Sequence, residues 1–219
     1  MIELSNIHIQ YPKSDFSLRI GELHFDTGSK TAIIGPSGFG KTTMLNLLAG
    51  IILPDSGDIK VGNSLVNHLS EKERRNFRIQ KIGFVFQDFR LIPYLNILDN
   101  ILLPYRINSI LKIENETIHS ARKLAGDLGI EKKLRKYPAK LSHGERQRVA
   151  ICRALMNKPP VILADEPTGN LDPQNKRKIM EILFEYVQKY KSTLITVTHD
   201  HEMLKGFGNT VNFSSFQKK

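Results

Sequence analysis

The chain has 219 residues, 40% of them hydrophobic and 25% charged, with a formal net charge of +10 and a single cysteine. Such a composition belongs to an ordinary globular protein with one sizeable core, and a lone cysteine excludes a scaffold of intrachain disulfides. No apolar run reaches the roughly 18 residues needed to cross a bilayer, since even LIPYLNILDNILLPY is broken by asparagines, Asp99 and prolines, so any link to a membrane runs through a partner.

The opening MIELSNIHIQ alternates apolar and polar residues and lacks a basic segment ahead of an apolar one, so it reads as a strand and not as a signal peptide. FSLRI, ELHF and KTAIIG continue as short strands to about residue 34, with turns at Pro12 and Gly28, and predict an antiparallel opening sheet. The period then changes. TTMLNLLAGII has helical spacing and is ended by PDSG, after which GDIKVGN and KIGFVFQ return to strands. From about Asp88 to Ala139 the pattern is mostly helical, interrupted by Pro93, Pro104 and Pro138, and predicts an inserted helical subdomain. A helix from Gly144 to about Met156, the strand VILAD, a helix through NKRKIMEILFEYVQKY and the strand TLITVTH complete the order. Strands alternating with helices after residue 30 predict an α/β fold with a mainly parallel sheet. The expected organisation is one domain over 1–219, with an N-terminal antiparallel β part at about 1–30 and 57–68 and a helical subdomain at about 88–140.

Two basic runs, EKERRNFRIQK and EKKLRKYPAK, read as solvated helix faces. Neither has the aromatic interleaving of a surface for single-stranded nucleic acid, and no nucleic-acid partner is expected. Cys152, in the apolar VAICRAL, reads as a buried structural thiol.

GPSGFGKT satisfies G-x-x-x-x-G-K-[ST] and lies between a predicted strand ending at Ile34 and a predicted helix near Thr42. In such a loop the backbone amides wrap phosphates, Lys41 neutralises β- and γ-phosphate charge, and the Thr42 hydroxyl ligates Mg²⁺. VILADE is an apolar strand ending in two carboxylates, which strand alternation would send to different faces. Asp165 suits Mg²⁺ and Glu166 suits the general base acting on an attacking water. LSHGE, Leu141 to Glu145, places a hydroxyl and a glycine amide at a helix start, where an anion is favoured.

Taken together, these motifs resemble the nucleotide-binding subunit of an ATP-binding-cassette (ABC) transporter, in the family's order and over essentially the whole chain. The resemblance implies a P-loop NTPase core, ATP and Mg²⁺, and ATPase activity. It assigns Tyr11 as an adenine platform and Gly35, Pro36, Ser37, Gly38, Phe39, Gly40, Lys41, Thr42 and Thr43 to the Walker A loop and ATP. Gln87 in FVFQD and His199 in VTHD join Glu166 in catalysis, and Gln87 joins Thr42 and Asp165 at the metal. Leu141, Ser142, Gly144 and Glu145 form the signature, which acts on the ATP of a second, head-to-tail copy, and Asp172 in GNLD communicates across that interface. The family's usual signature has glycine at position 143 and glutamine at position 145. Either His143 loses a backbone freedom that glycine supplies, or it only faces solvent or adenosine, and the second reading is preferred.

KIGFVFQDFRLIPYLNILDNILLP and LLAGIILPDSG further resemble the lipoprotein-releasing, macrolide-exporting and cell-division group. That resemblance implies a homodimer on the cytoplasmic side of the inner membrane, peripheral, working with a membrane-spanning permease subunit. Phe89, Leu91, Ile92 and Leu95 either line the groove that receives that subunit or fill the helical core. The alternative function is a non-transport regulatory ATPase of the same class.

Overall fold

The computed structural model describes residues 1–12, 16–169 and 171–216. Its first strands, β1 (Ile2–Gln10) and β2 (Ser17–Phe25), pair antiparallel from Ile2 opposite Phe25 to Gln10 opposite Ser17. FSLRI and ELHF are therefore one strand running through Gly21, not two. On the other edge of β1 lies β4 (Ser56–Val61), followed by the short β5 (Ser64–Leu65), giving a sheet of order β2-β1-β4-β5.

β3 (Lys30–Ile34) corrects the expected antiparallel opening. It pairs parallel with β8 (Thr193–Val197) and with β9 (Asn209–Asn212), in a second sheet of order β6-β7-β8-β3-β9 that includes β6 (Ile82–Val85) and β7 (Val161–Asp165). Its physical mark is burial on both faces, with Thr31, Ala32 and Ile33 all buried, as a central parallel strand requires.

Between the two sheets sits α1 (Lys41–Leu48), whose Met44, Leu45, Leu47 and Leu48 are fully buried. They share one core with Leu4, Ile20 and Ile59 of the antiparallel sheet and with Leu163 and Ile195 of the parallel one. The opposite face of the parallel sheet looks into a second core, so along β7 the side chains of Val161 and Leu163 belong to the first core and those of Ile162 and Ala164 to the second.

The charged run EKERRNFRIQK forms α2 (Glu71–Lys81), started by a capping box between Ser70 and Glu73 and burying only Phe77. The second core is built by α3 (Ile97–Ile101), α4 (Leu103–Arg106), α5 (Asn115–Asp127), α6 (His143–Leu155) and α7 (Pro173–Tyr190). Cys152 lies wholly inside it, and burial pushes its thiol far above the ordinary range, as a structural cysteine requires.

The stretch 88–96, expected to be helical, is irregular. Its turns are stitched by Asn100, which is fully buried: Ile92 N donates to Asn100 Oδ1 at 2.7 Å, and Nδ2 donates to the carbonyls of Ile92, Leu95 and Asn96 at 3.0 to 3.1 Å. Removing this side chain would leave several buried main-chain groups unpaired. Asn100→Ala is therefore expected to destabilise the chain by about 3 kcal/mol, read as a lowered midpoint in urea unfolding; a change within about 0.5 kcal/mol would mean that water replaces the amide.

Candidate functional site

The loop from β3 into α1 can close only with glycine at its last position. Gly40 has φ of 90°, and a Cβ there would stand 2.8 Å from the ring of Phe16. Lys41, 6% exposed, turns its ammonium onto the loop, donating to the carbonyls of Gly35 and Pro36 at 2.7 Å each. Thr42 Oγ1 donates to Asp165 Oδ2 at 2.8 Å, tying the start of α1 to the end of β7.

After Asp165 the chain leaves the strand, because Glu166 has φ of 50°. Its N–H donates to Val197 O on β8 at 3.0 Å, and Gly169 N donates back to Glu166 O at 3.0 Å. Strand alternation is thus not what separates the two carboxylates, contrary to expectation; a left-handed residue just beyond the strand does it. His199 Nε2 stands 3.2 Å from Glu166 Oε1, close enough for an ion pair but not aligned for a hydrogen bond, so Oε1 is buried without a hydrogen-bond partner among the described residues.

Burial governs the charges of this corner. It raises the Asp165 carboxyl, against the hydrogen bond from Thr42 and the charge of Lys41. It raises Glu166, against the charge of His199, and it lowers Lys41, against Glu166 and Asp165.

These groups share a cavity of about 490 Å³ with Tyr11, Ser37, Gly38, Gly40, Thr43, Gln87 and His199. Tyr11 brings its hydroxyl to 3.4 Å from Thr43 Oγ1 and its ring to 5.6 Å from that of Phe16. Gly35, Pro36 and Phe39 do not line the cavity: the first two present carbonyls to Lys41, and Phe39 packs on the core beneath the loop. Phe16, which also lines the cavity, escaped the sequence reading because an aromatic opening an alternating strand looks like a core residue.

None of Leu141, Ser142, Gly144 or Glu145 lines this cavity. Leu141 is buried in the helical core. Ser142 caps α6, its Oγ accepting from Glu145 N at 3.2 Å while its own N–H donates to Glu145 Oε2 at 2.8 Å. The bond from the Ser142 backbone N–H is the largest of the effects that hold the Glu145 carboxyl below its ordinary value, helped by Lys133, whose Nζ is 3.0 Å away, and by the Ser142 side chain. Gly144 is not left-handed; its small size matters because a Cβ would meet Leu171 at 3.3 Å. His143 opens α6 without a positive φ, so histidine brings no backbone strain. Nor does it only face outward, as preferred above: its ring stands edge-on to Phe89, centroids 4.6 Å apart, and its Nδ1 is buried without a hydrogen-bond partner among the described residues.

Asp172 caps α7 by accepting from Asn175 N at 3.1 Å, and the Asn175 bonds, that from its side chain first, lower the Asp172 carboxyl. Asn175 Oδ1 accepts in turn from Arg148 of α6 at 3.3 Å. Within GNLD, Asn170 lies outside the described residues.

A second cavity, of about 320 Å³, opens between the parallel sheet and the helical region and is floored by Ile79, Phe84, Phe86, Leu103 and Ile107. Phe89, Leu91, Ile92 and Leu95 do not line it; Phe89 is buried and Leu91 packs on the helical core.

Residues 18–169 match the family model described as ABC transporter. The chain belongs to the ABC transporter family. This ABC cassette is 41% identical over 206 residues to the macrolide export ATP-binding/permease protein MacB of Rhodopirellula baltica, covering 93% of the present chain but only 30% of that longer relative. It is 39% identical over 208 residues to the lipoprotein-releasing system ATP-binding protein LolD of Buchnera aphidicola, covering 94% of the cassette and 90% of LolD. Among solved structures it is similar to MJ0796, described as a dimeric bacterial ABC transporter cassette, with a TM-score of 0.88, 35% identity and coverage of 97% and 95% of the two chains. A second structure of MJ0796, bound to ADP and Pi in a post-hydrolysis state, matches at a TM-score of 0.86.

The burial of Glu166 has a consequence for the cassette's stability. A carboxyl raised in the folded state contributes stability that is present below the unfolded pKa and is lost as pH rises through the folded one. Glu166→Gln removes that loss, so the nucleotide-free variant should melt above the parent at pH 7.5, with the gain shrinking as pH falls toward about 4.3, the ordinary glutamate value. An equal gain at both ends of that range would show that burial of the charge is not the cause.

Proposed function

We propose that the chain is the ATP-hydrolysing subunit of a bacterial ABC transporter, acting as a head-to-tail homodimer that drives a separate membrane-spanning permease from the cytoplasmic face of the membrane. The observation that carries this reading is the separation of two anion sites in one molecule: the Lys41 cavity and the α6 N-terminus do not meet. A second copy would bring Ser142 and the Gly144 amide to the γ-phosphate held by the first, and Asp172 to the same interface. The Ser142 oxygen accepts from Glu145 N, and its rotatable O–H can turn from the Glu145 carboxyl to donate to a phosphate.

In the facing cavity, Tyr11 and Phe16 offer aromatic surface to the adenine, and the loop amides with Lys41 take the triphosphate. Glu166 is the general base: its raised pKa moves proton affinity toward neutral pH, and the residue lines the cavity where the attacking water would stand. His199, beside Oε1, adds a contact for the γ-phosphate. Mg²⁺ suits the oxygen donors present, with Thr42, Asp165 and Gln87 the residues that would hold it together with the phosphates. When bound, it neutralises charge on the phosphate oxygens.

The apolar cavity of about 320 Å³ is the surface assigned to the permease. Ile107 at its edge is 66% exposed, and with Ile79, Phe84, Phe86 and Leu103 it carries the apolar lining of the cavity out to the surface. Among the described residues no helix is long and apolar enough to cross a membrane. A permease partner agrees with MacB, named an ATP-binding/permease protein, and a peripheral location with LolD, named the ATP-binding protein of a lipoprotein-releasing system.

Glu166→Gln should lower ATP turnover at least about a hundredfold while leaving ATP affinity intact, since the amide keeps the shape of the site and loses the base. ATP with Mg²⁺ should then hold two variant chains together on size exclusion. Turnover at the parental rate would overturn the base assignment. Lys41→Ala should instead weaken ATP binding itself, and unchanged affinity by calorimetry would remove GPSGFGKT as the triphosphate site. Capture of a polytopic membrane protein by the native chain, lost in Ile107→Glu, checks the groove.

A further inference from the structure

Directly after Gln87 the backbone enters the left-handed region at two consecutive residues, neither of them glycine: Phe89 at φ 61° and Arg90 at φ 47°. The turn's own bonds are local, Phe89 N to Phe86 O at 3.2 Å, Arg90 N to Asp88 O at 2.7 Å and Arg90 Nε to Asp88 Oδ1 at 3.3 Å. What holds it comes from far along the chain. Arg153, in the last turn of α6, donates from one guanidinium nitrogen to Arg90 O at 2.6 Å and from the other to Phe89 O.

Arg153 is only 9% exposed, and burial pulls its guanidinium down to about 10, with the nearby Asp88 charge opposing that effect and Arg90 reinforcing it. Burying a cation is costly, and here its hydrogen bonds go to two main-chain carbonyls of one strained turn. The same turn touches the other end of α6 through the edge-on contact of Phe89 with His143. It touches β6 through Arg90, whose guanidinium lies 4.3 Å over the Phe86 ring, itself stacked on Phe84. The residues after Gln87 are thus gripped between β6 and the signature helix.

We propose that Arg153 is a positioning residue that locks the turn after Gln87 onto the signature helix, so that Gln87 in one ATP site and Ser142 in the facing site are placed by one rigid connection. The proposal rests on the roles given to Gln87 and Ser142 above. The Walker A loop hangs from β3 and α1 and not from this turn, so loss of the lock should leave ATP binding in place and impair turnover.

Arg153→Lys keeps a cation but loses the planar fork whose two nitrogens each meet one carbonyl, and its shorter side chain stops short of the positions those nitrogens occupy. In the full chain, ATP affinity by calorimetry should stay within about threefold of the parent while turnover falls about tenfold or more. Arg90→Gly supplies the rescue. Glycine adopts φ 47° without a clamp and leaves only Phe89 of the two strained residues, so in the glycine background the same lysine substitution should cost at least about threefold less turnover than in the parent. That comparison stands even if Arg153→Lys alone does not fold.

A tenfold cost in both backgrounds, a parental rate for Arg153→Lys, or loss of ATP affinity in step with the rate would each overturn the lock. Gln87→Ala, measured alongside, separates the two levels. A parental rate there removes the role of Gln87 itself, whereas a slowed Gln87→Ala beside a parental Arg153→Lys removes only the lock.

Discussion

Lys41, Asp165 and Glu166 hold charge in a corner largely closed to water, and burial opposes the charged form of each of them. Their mutual attraction and a few hydrogen bonds keep the arrangement together, yet among the described residues Glu166 Oε1 still lacks a hydrogen-bond partner. A site of this kind is poised for an anionic ligand with its cation, because preorganised charges in a low dielectric interact more strongly than in water. The surrounding architecture serves that constraint. β3, β7 and β8 are central parallel strands whose carboxyl ends deliver Gly35, Asp165 and His199 to one edge of the sheet, where open α/β sheets place their ligands.

The second constraint is mechanical. α6 begins at the Ser142 cap, runs through the helical core and carries in its last turn Arg153, which reaches back to the turn after Gln87. Near its start, Arg148 reaches Asn175, the residue that hydrogen-bonds the Asp172 cap. One helix therefore touches three stretches of sequence that lie far apart along the chain and are all assigned to the nucleotide interface.

Much of this was legible in the residues themselves. The apolar run VILAD, the glycine spacing of GPSGFGKT and the helical periodicity of TTMLNLLAGII are local signals with local causes, and the elements stand where those signals put them. What escaped depends on contacts between distant residues. Alternation identified KTAII as a strand but could not choose its neighbours, so its place in the parallel sheet was missed. The left-handed turns at Glu166, Phe89 and Arg90 leave no trace in residue type, since none is glycine or asparagine. Asn100 reads as an ordinary polar helix residue until the irregular stretch it stitches is seen around it. His143, a departure from the family's glycine, gained its meaning only from the ring of Phe89.

The buried thiol bears on how such a helix could be watched at work. Cys152 is the chain's one cysteine, wholly enclosed and held in its unreactive protonated form by its apolar surroundings. Maleimide and similar reagents attack thiolates that solvent can reach, so the native chain is in effect silent toward them. A cysteine introduced at a solvent-facing position, such as Tyr94 at 78% exposure, would carry the label alone. Distances across a pair of cassettes could then be followed through a catalytic cycle in the otherwise unaltered sequence.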